Sequence, residues 1–233
     1  MFFVGAAAGP AGPVLSTLLL TGLIVLGVFM TFIVSNMLSH TILKGIPSSF
    51  TLELPPYRKP QIGKVIVRSL FDRTLFVLGR AVMVAAPAGL IIWIMANITI
   101  GDFTLLSHCS NFLDPFARWL GMDGVILFAF ILGFPANEIV VPIIIMAYMA
   151  SGSIMELDSL WDLKQLLVDH GWTWITAIST MLFSLMHWPC STTCLTIKKE
   201  TQSLKWTAVS IIVPTIMGML ACFAFATITR VLI

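Results

Sequence analysis

Gly133-Phe134-Pro135-Ala136-Asn137-Glu138 and Met186-His187-Trp188-Pro189-Cys190-Ser191-Thr192-Thr193 each fall about halfway along an apolar run long enough to cross a bilayer. Each sets a proline and a cluster of polar, ligand-capable side chains where lipid tolerates neither. An apolar helix broken at mid-depth exposes backbone carbonyls and helix ends there, which is what a membrane transport site needs. These two breaks predict an all-α, polytopic integral membrane bundle with broken or re-entrant helices. The rest of the chain reads as scaffold for them.

Composition agrees. Of 233 residues, 58% are hydrophobic and 10% charged, against about 25% charged in a soluble domain. Mean hydropathy is +0.98. The expected location is a cell membrane, crossed several times. Cys109, Cys190, Cys194 and Cys222 form no CxxC pair, so neither a disulfide framework nor a zinc knuckle is indicated. Residues 1–13 carry no basic n-region, so no cleavable signal peptide is expected. No GxxxxGK[ST] occurs, which excludes a P-loop within this sequence. The basic residues never align with exposed aromatics, which argues against nucleic acid as a partner; membrane lipid is the expected surrounding.

A span needs about 20 mainly apolar residues, and five stretches qualify: 14–38, 81–100, 124–150, 172–197 and 206–229. The expected division is an N-terminal transmembrane region at 1–43, a cytoplasmic loop and amphipathic helix at 44–80, broken helices at 81–200 and a C-terminal transmembrane helix at 201–233. Gly45-Ile46-Pro47-Ser48-Ser49 reads as a turn, and the prolines of Glu53-Leu54-Pro55-Pro56-Tyr57-Arg58-Lys59-Pro60 forbid a helix there. From residue 61 to 80 a helical pattern resumes, suited to a helix lying on the membrane surface.

Charge sets the orientation. Residues 40–80 hold seven Lys/Arg against two acids, which places them in the cytoplasm. Residues 101–123 and 151–171 are acidic and read as external, whereas Lys198, Lys199 and Lys205 read as cytoplasmic. These assignments conflict if residues 124–150 cross fully. A re-entrant hairpin turning at 133–137 removes the conflict, and irregular backbone at depth is allowed when protein buries it.

At the first break Pro135 suits the opening turn of a new helix, which places Glu138 near the positive end of its dipole. Pro142 leaves the Glu138 carbonyl without its usual donor. One residue then offers a carboxylate and a free carbonyl oxygen, a pair that suits a cation. The competing reading is a helix cap, but a carboxylate at mid-membrane costs roughly 2.5–3.5 kcal/mol on insertion scales. At the second break Pro189 restarts a helix, with Cys190 in its first turn and Thr193 and Cys194 on the same face. Thiolate, imidazole of His187, thioether of Met186 and freed carbonyls make a borderline-to-soft set that suits a transition metal better than Na⁺ or Mg²⁺. Cys194 and Cys222 read mainly as small buried hydrophobes. Ser191 and Thr193 read equally as groups that re-satisfy backbone at the kink. The thirteen methionines form no MxxxM ladder.

Together, Ser48-Ser49-Phe50-Thr51-Leu52-Glu53-Leu54-Pro55-Pro56-Tyr57-Arg58-Lys59-Pro60, Gly133-Phe134-Pro135-Ala136-Asn137-Glu138, and Pro189-Cys190-Ser191-Thr192-Thr193 followed by Ile197-Lys198-Lys199-Glu200 resemble the membrane domain of ferrous iron transport protein B. The resemblance covers residues 32–206 and matches the second of that family's two gate repeats, at about 80–200. It implies that Fe²⁺ is the transported substrate and that no cofactor is permanently bound. It implies that Cys190 lies in the metal path with Glu138 beside it. From the reading of the two breaks, Asn137, His187, Ser191 and Thr193 are expected along the same path, with Gly133, Pro135, Pro142 and Pro189 breaking the backbone. It further implies a GTP-binding domain and a first gate outside this sequence, in a separate chain or a missing segment, and a small cytoplasmic accessory protein. Any GTPase activity would reside there, so the chain reads as a transporter and not an enzyme. Other readings remain: a gate-domain carrier of the nucleoside type, a sporulation-type gate protein, an intramembrane enzyme using Cys190 and His187, or a non-conducting scaffold subunit.

Overall fold

The computed structural model describes residues 12–41, 62–68, 71, 74–152 and 159–232. The turn at 45–49, the proline-rich stretch 53–60, and the acidic Glu156 and Asp158 lie outside the described residues. Among the described residues the protein is all-α apart from one small hairpin.

Three helices are long and apolar enough to cross a membrane, and a bent pair adds a fourth candidate span. Helix α1 runs Gly12–Thr41. Its hydroxyls turn back onto its own carbonyls: Thr17 donates to Pro13 at 2.9 Å, Thr21 to Thr17 at 2.9 Å and Thr31 to Gly27 at 2.9 Å. That removes the cost of polar groups on an apolar surface. After the short α2 (Ile62–Arg68), α3 spans Phe76–Asn97. Residues 76–80, expected in a surface helix over 61–80, belong to α3, a candidate span. That span also ends before residue 100. The run Ile98-Thr99-Ile100 is β-branched and poor at continuing a helix. It pairs with Phe103–Thr104 in a two-stranded hairpin (β1, Thr99–Ile100; β2, Phe103–Thr104) that turns at Gly101, φ +68°.

The stretch expected as an external loop is partly helical. Helix α4 (Leu105–Trp119) starts where Thr104 accepts from the Ser107 amide at 3.2 Å. It meets α5 (Gly124–Leu132) at 110°. Gly124 makes the corner possible, since a Cβ there would lie 2.0 Å from the Ser110 carbonyl oxygen. A 3₁₀ turn (Asn137–Ile139) and α6 (Val140–Tyr148) follow. At nine residues each, α5 and α6 are about 14 Å long and too short to cross alone. They fold back on one another. The Tyr148 hydroxyl, at the end of α6, donates to Asp123, which caps the start of α5 by accepting from the Ile126 amide at 2.7 Å. The pair is a hairpin whose two ends lie together, the fold-back that the charge pattern suggested.

Helix α7 (Leu160–Asp169) covers that same end, and α8 (Trp174–Met186) descends from it. Trp172 Nε1 donates to Tyr148 at 2.8 Å, fixing the level at which α8 begins. After the second break, α9 (Ser191–Thr201) completes the crossing, and α10 (Leu204–Leu232) returns antiparallel. Gly218 of α10 faces Met186, with its would-be Cβ 3.2 Å from the Met186 Cβ; Cys222 Sγ donates to the Ser179 carbonyl at 3.4 Å; Arg230 reaches the Arg118 carbonyl. One end thus gathers Arg80 (bonded to Thr196 of α9 at 2.9 Å), Lys198, Lys199 and Lys205, and the other Asp114, Asp123 and Asp169. By the positive-inside rule the basic end faces the cytoplasm. The core fills the level between, around Ile126, Ile143 and Phe183, while α1 and α3 present apolar side chains outward, Phe32 70% and Met83 75% exposed.

Candidate functional site

The hairpin tip and the α8–α9 break occupy the same level, and they touch. At the tip, Gly133 ends α5 and the chain winds through a run of turns: Phe134 donates to Ile131 at 3.3 Å and Ala136 to Gly133 at 3.0 Å. A Cβ at Gly133 would stand 2.4 Å from Val140 Cγ2, so the tight return needs glycine. The new helix begins at Asn137, two residues beyond Pro135. Pro135 therefore sits in the turn instead of opening the helix. Glu138 does fall in the first turn, and Pro142, having no N–H, leaves its carbonyl without the usual helical donor.

Across from it, α8 ends at Met186, and His187 and Cys190 are extended, ψ 178° and 158°. Cys190 is the N-cap of α9, one position earlier than the first turn expected for it, because Pro189 sits outside the helix. Its side chain caps no amide. The sulfur lies 3.2 Å from Thr192 Oγ1 and 3.1 Å from Thr193 Oγ1. The orphan amides of the α9 N-terminus find an acceptor elsewhere: the Ser191 N–H donates to the Phe134 carbonyl at 2.9 Å, and Ser191 Oγ donates to the Pro135 carbonyl at 3.3 Å.

His187 stands behind this junction. Its ring lies 5.1 Å from Phe130 and 6.1 Å from Phe183, between centroids. Nδ1 is 2.8 Å from the Ser184 carbonyl, an acceptor, so the proton resides on Nδ1 and the lone pair on Nε2. Nε2 is buried with no partner among the described residues, as is Trp188 Nε1. A histidine held by a carbonyl on one nitrogen and open on the other is arranged as metal-binding histidines are.

Of the residues expected here, Cys190 and Thr193 are brought together, and their neighbour Ser191 meets the tip carbonyls. Asn137 and Glu138 are exposed. Asn137 borders a cavity of about 290 Å³ between α6, α7 and α8, together with Thr180, Met181 and Ser184. The Glu138 carboxylate makes no hydrogen bond or ion pair with another described residue, and no three His, Cys, Asp or Glu side chains converge among the described residues. The carbonyls of Phe134 and Pro135 and the indole of Trp188 escaped the sequence reading, because a backbone contact between distant positions leaves no trace in residue type.

Two family models match the chain. The one described as Nucleoside recognition, named Gate, covers residues 78–204, and the one described as Ferrous iron transport protein B C terminus covers residues 20–72. A curated relative named Fe(2+) transporter FeoB, from Staphylococcus aureus strain MSSA476, is 29% identical over 220 residues, covering 90% of this chain and 31% of the relative. Relatives of the same name from Synechocystis (28% identical, 76% of this chain, 28% of the relative) and Leptospira interrogans (26% identical, 79% and 29%) also match. The chain thus spans less than a third of the length of these relatives. No solved structure matches it.

Proposed function

Because the chain belongs to the gate family and forms a C-terminal membrane part of the ferrous iron transport protein B type, we propose that it supplies one half of a path for Fe²⁺ across the cell membrane. The observation that carries the proposal is the meeting of the two breaks through Ser191. Cys190, next to Ser191 in the chain, offers its thiol at this junction in the proposed path, and His187, whose Nε2 has no partner among the described residues, offers an imidazole from the same break.

A conducting site must hold its ion well enough to strip water and loosely enough to let go. One sulfur, one imidazole and backbone oxygens meet that condition better than a closed four-thiolate site does. Glu138 and Asn137 lie on the exposed side of the tip, where a carboxylate attracts an arriving cation. The ligands that complete the shell come from the first gate in this reading, and a GTP-binding module outside this sequence, with a small cytoplasmic accessory protein, drives the change between states.

The test is anaerobic uptake of radioactive Fe²⁺ by liposomes carrying the full-length protein, beside uptake of radioactive uridine. Saturable Fe²⁺ uptake with no uridine uptake is the expected result. Uridine uptake that Fe²⁺ does not compete for would overturn the proposal and favour an organic-solute gate.

A further inference from the structure

The hairpin is fastened very differently at its two ends. At its base, Asp123 caps α5 and accepts from Tyr148, Tyr148 accepts from Trp172 at 2.8 Å, and Asp114 accepts from the Gly124 amide at 3.1 Å. These bonds tie both legs of the hairpin to α4 and to the start of α8. At its tip, the hydrogen bonds from the hairpin to another element come, among the described residues, from one residue, Ser191, whose amide and hydroxyl each hold a carbonyl. Ser191 is 6% exposed, so water does not reach it to offer substitutes.

We propose that Ser191 is a latch: its two donors hold the tip closed, and their release frees the Phe134 and Pro135 carbonyls to face the break. While Ser191 holds them, each carbonyl has a lone pair taken up by a hydrogen bond and presents an ion with fewer free ones. Once the tip swings away from α9, both carbonyls become available together. The base bonds make the tip the moving part. Cys190, which adjoins Ser191 and is already half-buried rather than covered, becomes more exposed in the same movement. This inference rests on the reading of the two breaks as a path, and it makes Ser191 a positioning residue for the site.

The test follows thiol accessibility in native membranes that contain the full-length protein. A membrane-impermeant cationic methanethiosulfonate is supplied on both sides, and labelling of each cysteine is read by mass spectrometry. Loss of one neutral hydrogen bond in Ser191→Ala is expected to raise the labelling rate of Cys190 by about fivefold. Ser191→Thr, which keeps the hydroxyl, is expected to label as the natural protein does. Equal Cys190 labelling in all three proteins would overturn the latch. So would a rise in both variants, or a rise shared by Cys222, which is fully buried and reports loosening of the whole bundle. The assay contains no iron, so its failure is separate from any failure of Fe²⁺ uptake.

Discussion

Cys190→Ser is expected to weaken Fe²⁺ binding by the full-length protein at least about tenfold, the low end of what disturbing a metal site costs, with no loss of thermal stability. The two halves of this expectation have different causes. Sulfur is the softest donor at the break, and a hydroxyl replaces it with a harder, neutral one that a transition metal prefers less. The fold, in contrast, stands to gain. Cys190 occupies the N-cap of α9 and caps no amide, whereas serine is among the best N-cap residues. Thr192 and Thr193, each within 3.2 Å of the sulfur, remain able to bond to an oxygen in its place. Binding is measured by anaerobic equilibrium dialysis and stability by thermal unfolding in the same detergent. Unchanged binding in a folded Cys190→Ser protein would remove the thiol from the site.

Gly124→Ala is expected to have the largest effect on stability. The added Cβ would lie 2.0 Å from the Ser110 carbonyl oxygen and 2.8 Å from the Asp114 amide nitrogen. Both belong to the backbone of α4, which has no rotamer to change. Helices α4 and α5 must part, and the bond from the Gly124 amide to Asp114 goes with them. Overpacking of this kind costs about 3 kcal/mol or more, which for a protein of this size lowers Tm by about 6–12 °C. Gly89→Ala is the control. A Cβ at Gly89, within α3, meets nothing within 4 Å, so alanine there is neutral or stabilises by its better helix propensity, up to about 1 kcal/mol. Thermal unfolding of the two variants side by side separates packing at the corner from a general intolerance of glycine replacement.

The membrane architecture was legible because lipid leaves a strong mark on sequence. Long uncharged runs marked α1, α3 and α10, and the alternation of acidic and basic connecting segments pointed to a hairpin over 124–150. What joins its two ends, the bond from Tyr148 to Asp123, needed structure. Helix α4 was hidden because His108, Asp114, Pro115 and Arg118 make its sequence look like a loop. Its amphipathic spacing and the cap at Thr104 were the available signals. The hairpin at 98–104 has two residues per strand, too few for a period to show.

At the site, residue type pointed to both breaks, since proline beside polar groups in an apolar run has few other uses. It did not locate the helix starts. Proline favours the first helical position on average, yet both Pro135 and Pro189 here stand ahead of the helix they precede, with extended residues between. Nor did it reveal that Ser191 binds across to Phe134 and Pro135, more than fifty positions away. Both acceptors are backbone carbonyls and one donor is a backbone amide, and a backbone carries no identity that a single sequence records.

The most direct test of an iron path at the meeting of the two breaks is iron K-edge X-ray absorption on full-length protein loaded anaerobically with Fe²⁺. A sulfur neighbour at about 2.3 Å, near the usual metal–thiolate distance, is expected in the natural protein and absent in Cys190→Ser. A shell of oxygen and nitrogen alone, identical in both proteins, would contradict it and place the metal elsewhere.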